Sequence, residues 1–409
     1  MAKPIEKDKM LFGNSGPGIR SDCQVSMELL TKGGLEIDLN SKVNSMYGKS
    51  IREMLKEILV FFEIKNARVT IQDSGALPFV ILARMEALIK SHVKSEKEFL
   101  PDMIAGNLYK SENGRFRFSR LYLPGNSPSL MLNAGVHQPG GLILDLEDSV
   151  APEKKYEASF LVRNALRQLD FMGTERMVRI NQLPAGLKDL AFIVNHNIHL
   201  ILVPKCESPE QILQLEIEIS RLKKPVVKDD PIFLMPIIES ALGVEKAFEI
   251  AVSSKNIVAM AIGLEDYTAD IGVRRTSRGD ESLYARTRLI NACKAAGVQP
   301  IDSVFSDVGD MEGLREAVRK SRSLGFEGMG CIHPRQIQVI HEEFYPGMDE
   351  VDKAARIVKA FKKAKKDGLG VVSLGTKMID APVVKRAQKT LDLAVSLGLL
   401  KKDKTKESN

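Results

Sequence analysis

The sequence predicts an α/β protein: a (β/α)8 TIM barrel with a C-terminal helical extension, preceded by a small α+β domain. Three observations support this prediction. The chain has 409 residues, 44% of them hydrophobic, enough for one large core and one smaller core. From residue 117 onward, short apolar runs alternate with amphipathic stretches, as in parallel sheets buried on both faces. Before that point, apolar and polar residues alternate, which is typical of strands with one buried face.

Residues 1–92 form the small domain in this prediction. Apolar residues alternate with polar ones over 25–29 and again over 35–39, and the turn between them predicts a β-hairpin. A helix begins near Ser50, a third strand covers 69–71, and a second amphipathic helix covers 81–89. The resulting ββαβα unit closes only a small core.

Residues 93–115 are rich in Lys, Glu, Ser, Asn and Gly, and are predicted to form a linker to a barrel domain of residues 116–345. Eight apolar runs predict its strands: 121–123, 142–146, 177–180, 200–203, 232–238, 257–264, 301–305 and 329–332. Helical patterns lie between them, for example at 212–222 and 314–324. An open doubly wound sheet is the alternative, but no GxGxxG motif follows the first strand. Residues 346–409 form the helical extension, with a helix at 383–399.

Composition limits the function classes. The net charge of +6 is modest, and its excess in 359–366 and 401–404 is interpreted as solvated helix faces. The first nine residues lack the apolar core of a signal peptide and no apolar run could cross a membrane, so we expect a cytoplasmic protein without a membrane partner. Aromatic and basic residues are not interleaved as in nucleic-acid-binding proteins. The cysteines lack metal-ligand spacing and are expected to be reduced thiols: Cys23, Cys206, Cys293 and Cys331.

Polar residues follow the predicted strands, where a barrel of this type places its chemistry. They are Asp145, Glu147, Asp148, Arg179, Asn181, Lys205, Glu239, Ser240, Glu265, Asp266, Ser306, Asp307 and His333. Carboxylates that converge on one mouth repel each other unless a cation lies among them, and Mg²⁺ suits oxygen ligands. Arg179 and Lys205 would complement an anionic substrate. Asp148, Ser240 and Asp307 are predicted to be helix N-caps, and His333 a structural loop residue.

Six motifs occur in order along the barrel: Tyr122-Leu123-Pro124-Gly125-Asn126, Leu144-Asp145-Leu146-Glu147-Asp148-Ser149-Val150, Val178-Arg179-Ile180-Asn181, Val203-Pro204-Lys205, Ile238-Glu239-Ser240-Ala241-Leu242-Gly243 and Ile332-His333-Pro334-Arg335-Gln336-Ile337. With Met378-Ile379-Asp380-Ala381-Pro382, they closely resemble the citrate lyase beta-subunit family, of the HpcH/HpaI-type aldolase/citrate lyase superfamily, across residues 117–398.

This resemblance implies roles for individual residues. Glu239 and Asp266 match the family's Mg²⁺ ligands, and Glu147 is expected to contact metal-bound waters. Arg179 matches the arginine that lies against the thioester or substrate oxygens. Asp380 matches an acid/base aspartate that reaches the site from a neighbouring subunit in related enzymes, which implies a homo-oligomer. It is also expected to be the N-cap of the helix at 383–399.

Two further residues are expected to bind the cofactor part of the substrate, Lys205 and Arg117. The family often has paired basic residues at the first strand, whereas Phe118 follows Arg117 here, so that phosphate contact departs from the family pattern. The loop at 272–281 resembles the citrate-type version of the loop after the sixth strand. It favours a citrate-like substrate.

The small domain resembles the acyl carrier (gamma) subunit of citrate lyase. Its matching stretches are Ser41 to Gly48, Asp73 to Leu77 and Ala83 to Leu88. In that family, a serine ahead of the first strand carries a covalent phosphoribosyl-dephospho-CoA group. Ser21 stands in that place, with Ser15 and Ser26 as rivals.

The resemblance therefore predicts a Mg²⁺-dependent lyase that cleaves a citryl thioester to an acetyl thioester and oxaloacetate. A citrate lyase alpha-type acyl-transferase subunit is then the expected partner, because no second catalytic domain is visible in the sequence. One alternative is a lyase that uses free citramalyl-CoA or malyl-CoA, with the small domain unmodified. A non-enzymatic alternative, in which the barrel only binds and the small domain only assembles, leaves the occupied catalytic positions unexplained.

Overall fold

The computed structural model describes residues 10–224, 230–366, 371–374 and 377–401. The chain forms two compact units that divide after Ile340. Most of the basic stretch at 401–404 lies outside the described residues. No described helix is both long and apolar enough to span a membrane.

A four-stranded sheet and two helices form the N-terminal part of the first unit. Its elements are β1 (Phe12–Gly13), β2 (Cys23–Leu29), β3 (Leu35–Ser41), α1 (Asn44–Phe61), β4 (Ala67–Asp73) and α2 (Pro78–His92). The strand order is β1-β2-β4-β3, with β4 antiparallel to β2 and parallel to β3. The predicted ββαβα order is confirmed. One face of the sheet packs with both helices in a shared apolar core.

The predicted β-hairpin is wrong, because β4 lies between the two strands that were expected to pair. The N–H of Leu30 donates to the carbonyl of Asn66, and the N–H of Ala67 donates to the carbonyl of Gly34. The two sides of the predicted turn therefore bond to the start of β4 and not to each other. The partner of each strand is remote in sequence, so local turn residues did not reveal it.

The barrel is an eight-stranded parallel sheet, and all eight predicted strands are confirmed. They are β5 (Ser119–Pro124), β6 (Gly141–Asp145), β7 (Glu175–Arg179), β8 (Leu200–Val203), β9 (Phe233–Ile238), β10 (Ala259–Ile262), β11 (Gln299–Ile301) and β12 (Met329–Cys331). Neighbours follow the order β11-β10-β9-β8-β7-β6-β5-β12. A parallel bridge between Asp302 and Met329 joins the two ends. The C-terminal ends of the strands thus surround one opening, which we call the mouth.

Helices follow the strands around this sheet. They are α3 (Pro128–Met131), α4 (Lys155–Gln168), α5 (Leu190–Ile193), α6 (Pro209–Leu222), α7 (Ala241–Glu245), α8 (Ala247–Ala251), α9 (Leu264–Asp270), α10 (Leu283–Ala296), α11 (Met311–Leu324) and α12 (Pro334–Phe344). Below the mouth the barrel is filled by apolar side chains, among them Ile143, Met177, Leu202, Met235 and Ile301. This packed interior confines polar chemistry to the mouth.

The N-terminal domain packs on the barrel through α2 and α4. Every residue of α2 from Phe79 to Ile89 is buried, although the sequence predicted an amphipathic helix. The reason is that α4 covers the side of α2 that faces away from its own sheet. Arg163 on α4 forms a buried ion pair with Glu86 on α2, with Nη2 to Oε2 at 2.5 Å. The side chain of Asn164 also donates to the carbonyl of Phe79 at 3.1 Å.

Residues 93–115 run along the barrel surface. The carbonyl of Pro101 accepts a hydrogen bond from Arg167 Nε at 2.6 Å, and the N–H of Ile104 donates to the carbonyl of Arg167. The hydroxyl of Tyr109 donates to the carbonyl of Thr174 at 2.5 Å. Asn107 is fully buried. Side chains and backbone of this segment are thus bonded to the barrel at several points along its length.

The second unit contains two helices and a short antiparallel hairpin. Its elements are α13 (Met348–Lys366), β13 (Val372–Leu374), β14 (Lys377–Ile379) and α14 (Ala381–Ser396). Ala354, Ile357, Val358, Ile379 and Ala387 form its core. The predicted C-terminal helix is confirmed as α14.

Candidate active site

A cavity of about 380 Å³ opens at the mouth of the barrel. Side chains from several strand ends line it, including Tyr122, Asp145, Asp148, Arg179, Glu239, Asp266, Asp302 and Ser303. The sequence prediction that ionisable residues gather at these strand ends is confirmed for six residues that line the cavity: Asp145, Asp148, Arg179, Glu239, Glu265 and Asp266. The small residues Ala261, Gly263 and Gly330 also line the cavity.

Arg179, at the end of β7, is held by a buried carboxylate on the neighbouring strand. Its Nε lies 2.6 Å from Asp145 Oδ1 and its Nη2 lies 2.7 Å from Asp145 Oδ2, a bidentate pair. Burial alone would raise the pKa of Asp145, but the hydrogen bonds from Arg179 outweigh it and lower that pKa. The guanidinium lies over the ring of Tyr122, 5.3 Å from its centroid. The arginine is therefore fixed in orientation at the cavity wall.

Glu147 lies beside this pair. Its Oε2 is 2.9 Å from Arg179 Nη1, and its Oε1 is 3.4 Å from Lys205 Nζ. Burial, followed by the neighbouring Asp148, raises the pKa of Glu147 to about 7 despite the two cations. The carboxylate of Asp145 holds the loop that carries Glu147 by accepting from the N–H groups of Glu147 and Ser149.

Glu239, directly after β9, is the most enclosed of the predicted metal ligands. It is 5% exposed, and its Oε1 accepts a hydrogen bond from the backbone N–H of Lys205 at 2.7 Å. A Cβ at position 263 would lie 2.2 Å from Glu239 Oε2, so only glycine there leaves room for this carboxylate. Burial raises the pKa of Glu239 to about 7, and the charge of Asp266 contributes in the same direction.

Asp266, in the first turn of α9, lines the same cavity and is more exposed. Lys205 Nζ lies 3.8 Å from its Oδ1. Lys205 thus contacts two of the three carboxylates at this side of the mouth with its ammonium and the third with its backbone. The prediction that it contacts a cofactor stays a prediction. The geometry gives it the role of a counter-charge among the acids.

Glu239 and Asp266 fit a Mg²⁺ ion. Within the ranges that the structure describes, no group of three or more Asp, Glu, His or Cys side chains is placed to hold a metal. Mg²⁺ needs fewer, because it keeps several waters and takes one or two carboxylates together with substrate oxygens. Gly263 makes room for the Glu239 carboxylate at the cavity, and the burial that raises the pKa of this group is an effect that a bound cation would offset.

Arg117 requires a correction. It lies before β5, at the end of the barrel opposite the mouth, and it is fully buried. Its Nε and Nη2 bind the two carboxylate oxygens of Glu175, each at 2.8 Å, and its Nη1 donates to Gln299 Oε1 at 2.8 Å. Both partners begin strands. Arg117 closes the bottom of the barrel, and this position does not suit a cofactor contact at the mouth.

The predicted caps divide into two groups. Ser240 is confirmed, since its hydroxyl accepts from the N–H of Gly243 at 3.1 Å. Asp148 is not a helix cap; its Oδ2 lies 3.4 Å from Arg179 Nη1 at the cavity. Asp307 accepts from the N–H of Gly309 in a turn, and Asp310 caps α11 instead.

His333 and Asp380 each have a clear local role. His333 precedes α12, and its Nδ1 accepts from the N–H of Arg335 at 3.1 Å, as a loop residue would. Asp380 lies in the C-terminal unit and is the N-cap of α14, with its Oδ1 accepting from the N–H of Val383 at 3.1 Å. The expected cap role of Asp380 is confirmed, and its acid/base role stays a prediction.

Ser21 lies in the segment that connects β1 to β2, and it is half-buried. The next residue, Asp22, forms a buried ion pair with Arg84 of α2, 3.0 Å from Nη2. The same Nη2 donates to the carbonyl of Asn126, which follows β5 at the mouth end of the barrel, at 3.1 Å. Arg84 Nη1 also lies 3.1 Å from Glu157 at the start of α4. The segment with Ser21 is therefore tied to the rim of the mouth.

The rival serines differ from Ser21. Ser26 is buried within β2, and the hydroxyl of Ser15 donates to Gln24 Oε1 at 3.0 Å.

Sequence reasoning missed Tyr122 and the anchoring role of Asp145. Tyr122 reads as one member of an apolar run, and only the pairing of β5 with β6 and of β6 with β7 shows that its ring lies under Arg179. The strand-end position of Asp145 was visible, but its bidentate partner was not. Alternation within β5 was the available signal, because it places residues 120 and 122 on one face.

Comparison with known proteins agrees with this geometry. A family model described as HpcH/HpaI aldolase/citrate lyase matches residues 119–334, and one described as malonate decarboxylase delta subunit (MdcD) matches residues 15–92. Citrate lyase subunit beta from Haemophilus influenzae is 36% identical, covering 69% of this chain and 98% of that protein. Human mitochondrial citramalyl-CoA lyase is 32% identical, covering 68% of this chain and 85% of that protein.

Among solved structures, the protein CitE from Mycobacterium tuberculosis in complex with magnesium, acetoacetate and coenzyme A has a TM-score of 0.59 and 28% identity, covering 69% of this chain and 99% of that one. The named relatives are carbon-carbon lyases, and this chain is an enzyme of that class, with an acyl-carrier-like domain at its N-terminus. Because the barrel model matches more than half of the chain and relatives above 30% identity are covered over most of their length, the chain belongs to the HpcH/HpaI aldolase/citrate lyase family.

Proposed function

We propose that this enzyme cleaves a citryl thioester to an acetyl thioester and oxaloacetate. A base takes the proton of the citryl hydroxyl, and the carbon-carbon bond to the thioester half breaks. The electron pair of that bond forms an enolate on the thioester fragment, and this enolate carbon takes up a proton to give the acetyl group. The observation that supports the proposal most is the fixed Arg179 beside two buried acids at one cavity.

Arg179 suits stabilisation of the enolate oxygen. Asp145 holds its guanidinium in place before any substrate binds, so no reorganisation is needed when negative charge develops nearby. The ring of Tyr122 supports the flat side of the guanidinium. A donor fixed in this way acts most strongly in a cavity from which water is displaced.

Glu239 and Asp266 are the proposed Mg²⁺ ligands, with Glu147 near the metal-bound waters. Bound Mg²⁺ supplies Lewis acidity to the hydroxyl and carboxylate oxygens of the substrate. The ammonium of Lys205 lies within 4 Å of both Glu147 and Asp266, and its positive charge reduces the repulsion between these two carboxylates. Asp380 is proposed to transfer protons, contributed by a second subunit.

The small domain is proposed to carry the substrate on a phosphoribosyl-dephospho-CoA group attached to Ser21. What supports this is the Arg84 cluster, which ties Asp22 to Asn126 and Glu157 at the mouth end of the barrel. A substrate attached to the same chain, close to the mouth, has a high effective concentration there. A citrate lyase alpha-type acyl-transferase subunit would load citrate onto this carrier.

A second function is cleavage of free citramalyl-CoA or malyl-CoA, with Ser21 unmodified. The observation in its favour is the 32% identity to human citramalyl-CoA lyase, over 289 residues.

Two measurements separate these functions. Oxaloacetate release from citryl-CoA is compared with pyruvate release from citramalyl-CoA, using the purified chain and Mg²⁺. The intact mass of protein from its native host is then compared with that of the Ser21→Ala variant, with Ser15→Ala as the matched control. A mass adduct that Ser21→Ala removes and Ser15→Ala retains supports the carrier role. Faster turnover of citramalyl-CoA and an unmodified Ser21 would replace the first function with the second.

A further inference from the structure

Arg120 stands apart from the other arginines in the protein interior. Five arginines are among the largest fully buried side chains: Arg84, Arg117, Arg120, Arg163 and Arg176. Of these, Arg84, Arg117 and Arg163 bind carboxylates. Arg176 donates hydrogen bonds to the backbone carbonyl and the side-chain oxygen of Asn197. Arg120 instead has the thioether of Met235 as its hydrogen-bond partner, 2.9 Å from Nη1, and its Nε has none among the described residues.

A buried arginine without a counter-charge is costly, because the guanidinium loses its hydration and gains no ion pair in return. Burial accordingly lowers the pKa of Arg120. No carboxylate within the described ranges lies within ion-pair distance of it, although Asp302 lines the same cavity and is already paired with Arg286. Among the described arginines that are fully buried, Arg120 and Arg176 thus lack a carboxylate partner, and of these two Arg120 also lacks an oxygen acceptor.

Arg120 lies where an anion that enters the mouth cavity would meet it. Arg120 lines the floor of the mouth cavity, one layer below Tyr122 on the same face of β5. Across from it on β12 stands Gly330, where a Cβ would lie 3.6 Å from Arg120 Nη2. Ala261 on β10 is also small. Small residues therefore border the guanidinium on the side of the mouth, and the cavity extends down to Arg120 although this residue is only 1% exposed.

We propose that Arg120 binds a carboxylate of the substrate at the cavity floor and selects acyl groups that carry an additional carboxylate on the oxo-acid half. This inference rests on the proposed function. A citryl group differs from a citramalyl group at one point, a carboxymethyl group in place of a methyl group. Arg120 would pair with that additional carboxylate, which becomes the distal carboxylate of oxaloacetate, while pyruvate offers it nothing.

The test compares binding of the two oxo acids, and needs no turnover. Titration calorimetry with Mg²⁺ present is expected to give tighter binding of oxaloacetate than of pyruvate to the wild-type protein, by about tenfold or more. Arg120→Met keeps an unbranched side chain and removes the charge, and it is expected to abolish that preference. Arg120→Lys keeps the charge without the forked donors, and it should retain part of the preference.

In turnover, the ratio of kcat/KM for citryl-CoA to that for citramalyl-CoA should fall at least about tenfold in Arg120→Met. Equal binding of both oxo acids by the wild type, or an unchanged ratio in a folded Arg120→Met protein, would overturn the assignment. If Arg120→Met does not fold, the same binding and kcat/KM measurements on Arg120→Gln, together with the wild-type preference for oxaloacetate over pyruvate, test the assignment. A wild type that prefers oxaloacetate yet cleaves no citryl thioester would refute the proposed function and leave the role of Arg120 standing.

Discussion

Single residues at the mouth show an excess of acid over base. Glu147 and Glu239 are both buried and both have a pKa of about 7, mainly because burial disfavours their charged forms. Arg179 and Lys205 are the cations within reach, and Arg179 is largely committed to Asp145. A site arranged in this way binds a divalent cation more readily as the pH rises and the carboxyls lose their protons.

The Glu239→Gln variant tests whether Glu239 is a metal ligand. The amide oxygen still accepts the hydrogen bond from the N–H of Lys205, so the fold is expected to remain intact. Loss of the charged ligand should lower Mg²⁺-dependent cleavage by roughly 100-fold or more, and should remove the increase in Tm that Mg²⁺ causes in the wild type.

The matched control is Glu245→Gln, an exposed residue on α7 that follows the same strand. It should retain both the activity and the Mg²⁺-dependent rise in Tm. A Glu239→Gln protein with wild-type activity and an unchanged response to Mg²⁺ would refute the metal site.

His196 provides a prediction for pH. Burial, together with the nearby charge of Arg163, lowers its pKa to about 3, so the ring is neutral in the folded protein even though Glu98 lies 3.8 Å away. The unfolded histidine has a pKa of about 6.5 and takes up a proton first as the pH falls, so folding stability is lost below pH 6.5. Moving from pH 8 to pH 5.5 therefore costs about 1.4 kcal/mol through this residue alone.

His196→Gln is expected to lose about 1.4 kcal/mol less than the wild type over the same pH change, as measured by urea unfolding at both pH values. His137, which is exposed, is the control, and His137→Gln should show the wild-type loss. An equal loss in all three proteins would show that His196 is not the group that titrates.

At this scale the sequence was informative wherever a polar residue followed an apolar run. Glu239, Asp266 and Arg179 could be placed at the mouth because the end of a buried strand determines their location. Arg117 could not be understood in this way, since its expected role came from a likeness and it lies before its strand. Arg120 was hidden for a different reason: it reads as the polar start of an apolar run.

Among the elements, the contact between α2 and α4 determines how the two parts of the first unit interact. The cluster around Arg84 brings together Asp22 from β2's leading segment and Glu157 from α4 in a buried network. Burial alone would lower the pKa of Arg84, but the two carboxylates outweigh it and raise that pKa. The arginine is therefore charged; it is the cation bound to Asp22, and it shares Glu157 with Lys154.

Arg84→Met should lower the free energy of unfolding by about 3 to 5 kcal/mol, because the buried Asp22 loses its cation and the buried Glu157 keeps only Lys154. Native-state trypsin cleavage within residues 93–115, which contain Lys94, Lys97, Lys110 and Arg115, should become faster.

The control for this variant is Arg68→Met, which removes an exposed ion pair with Glu36 on the same sheet and should change little. If both variants were cleaved at the wild-type rate, the Arg84 cluster would not hold the domain on the barrel.

The elements themselves were largely predictable, and their pairing in the small domain was not. The eight barrel strands are short apolar runs whose neighbours in space are also neighbours in sequence, apart from the closing pair. In the small sheet, β3 and β4 pair in parallel across the whole of α1. A pattern of alternating residues predicts that a strand exists, but says nothing about a partner so far along the chain.

For the molecule as a whole, the open question is whether one chain contains a complete site. Asp380 lies in the C-terminal unit, where its side chain caps α14. Asp380→Asn retains a capping oxygen, since Asn is as good an N-cap as Asp, and removes only the acid. It should lower cleavage while leaving Tm within about a degree of the wild type.

Mixing tests for a shared site. Asp380→Asn and Glu239→Gln chains, each expected to have lowered activity, are unfolded together and refolded. If Asp380 comes from a neighbouring subunit, mixed oligomers contain some sites with both acids intact, and about a quarter of wild-type activity should return for a dimer. Activity that stays at the level of the separate variants would place both residues in one chain.

The interaction of the N-terminal domain with the barrel could not be predicted from the sequence. Residues 93–115 have the composition of a flexible linker, yet their backbone groups are bonded to Arg167 and Tyr109 reaches Thr174. Composition reports only how polar a segment is. Whether it binds a neighbouring surface depends on donors and acceptors that another part of the chain presents.

The burial of α2 on all sides has a consequence for synthesis on the ribosome. When α2 leaves the exit tunnel, α4 has not yet been made, so the apolar back of the helix has nothing to cover it. That side of α2 is therefore expected to stay exposed until residues 155–168 have been made. Once α4 is in place, its contacts with α2 join the small domain and the barrel, and the two are expected to unfold as one cooperative unit.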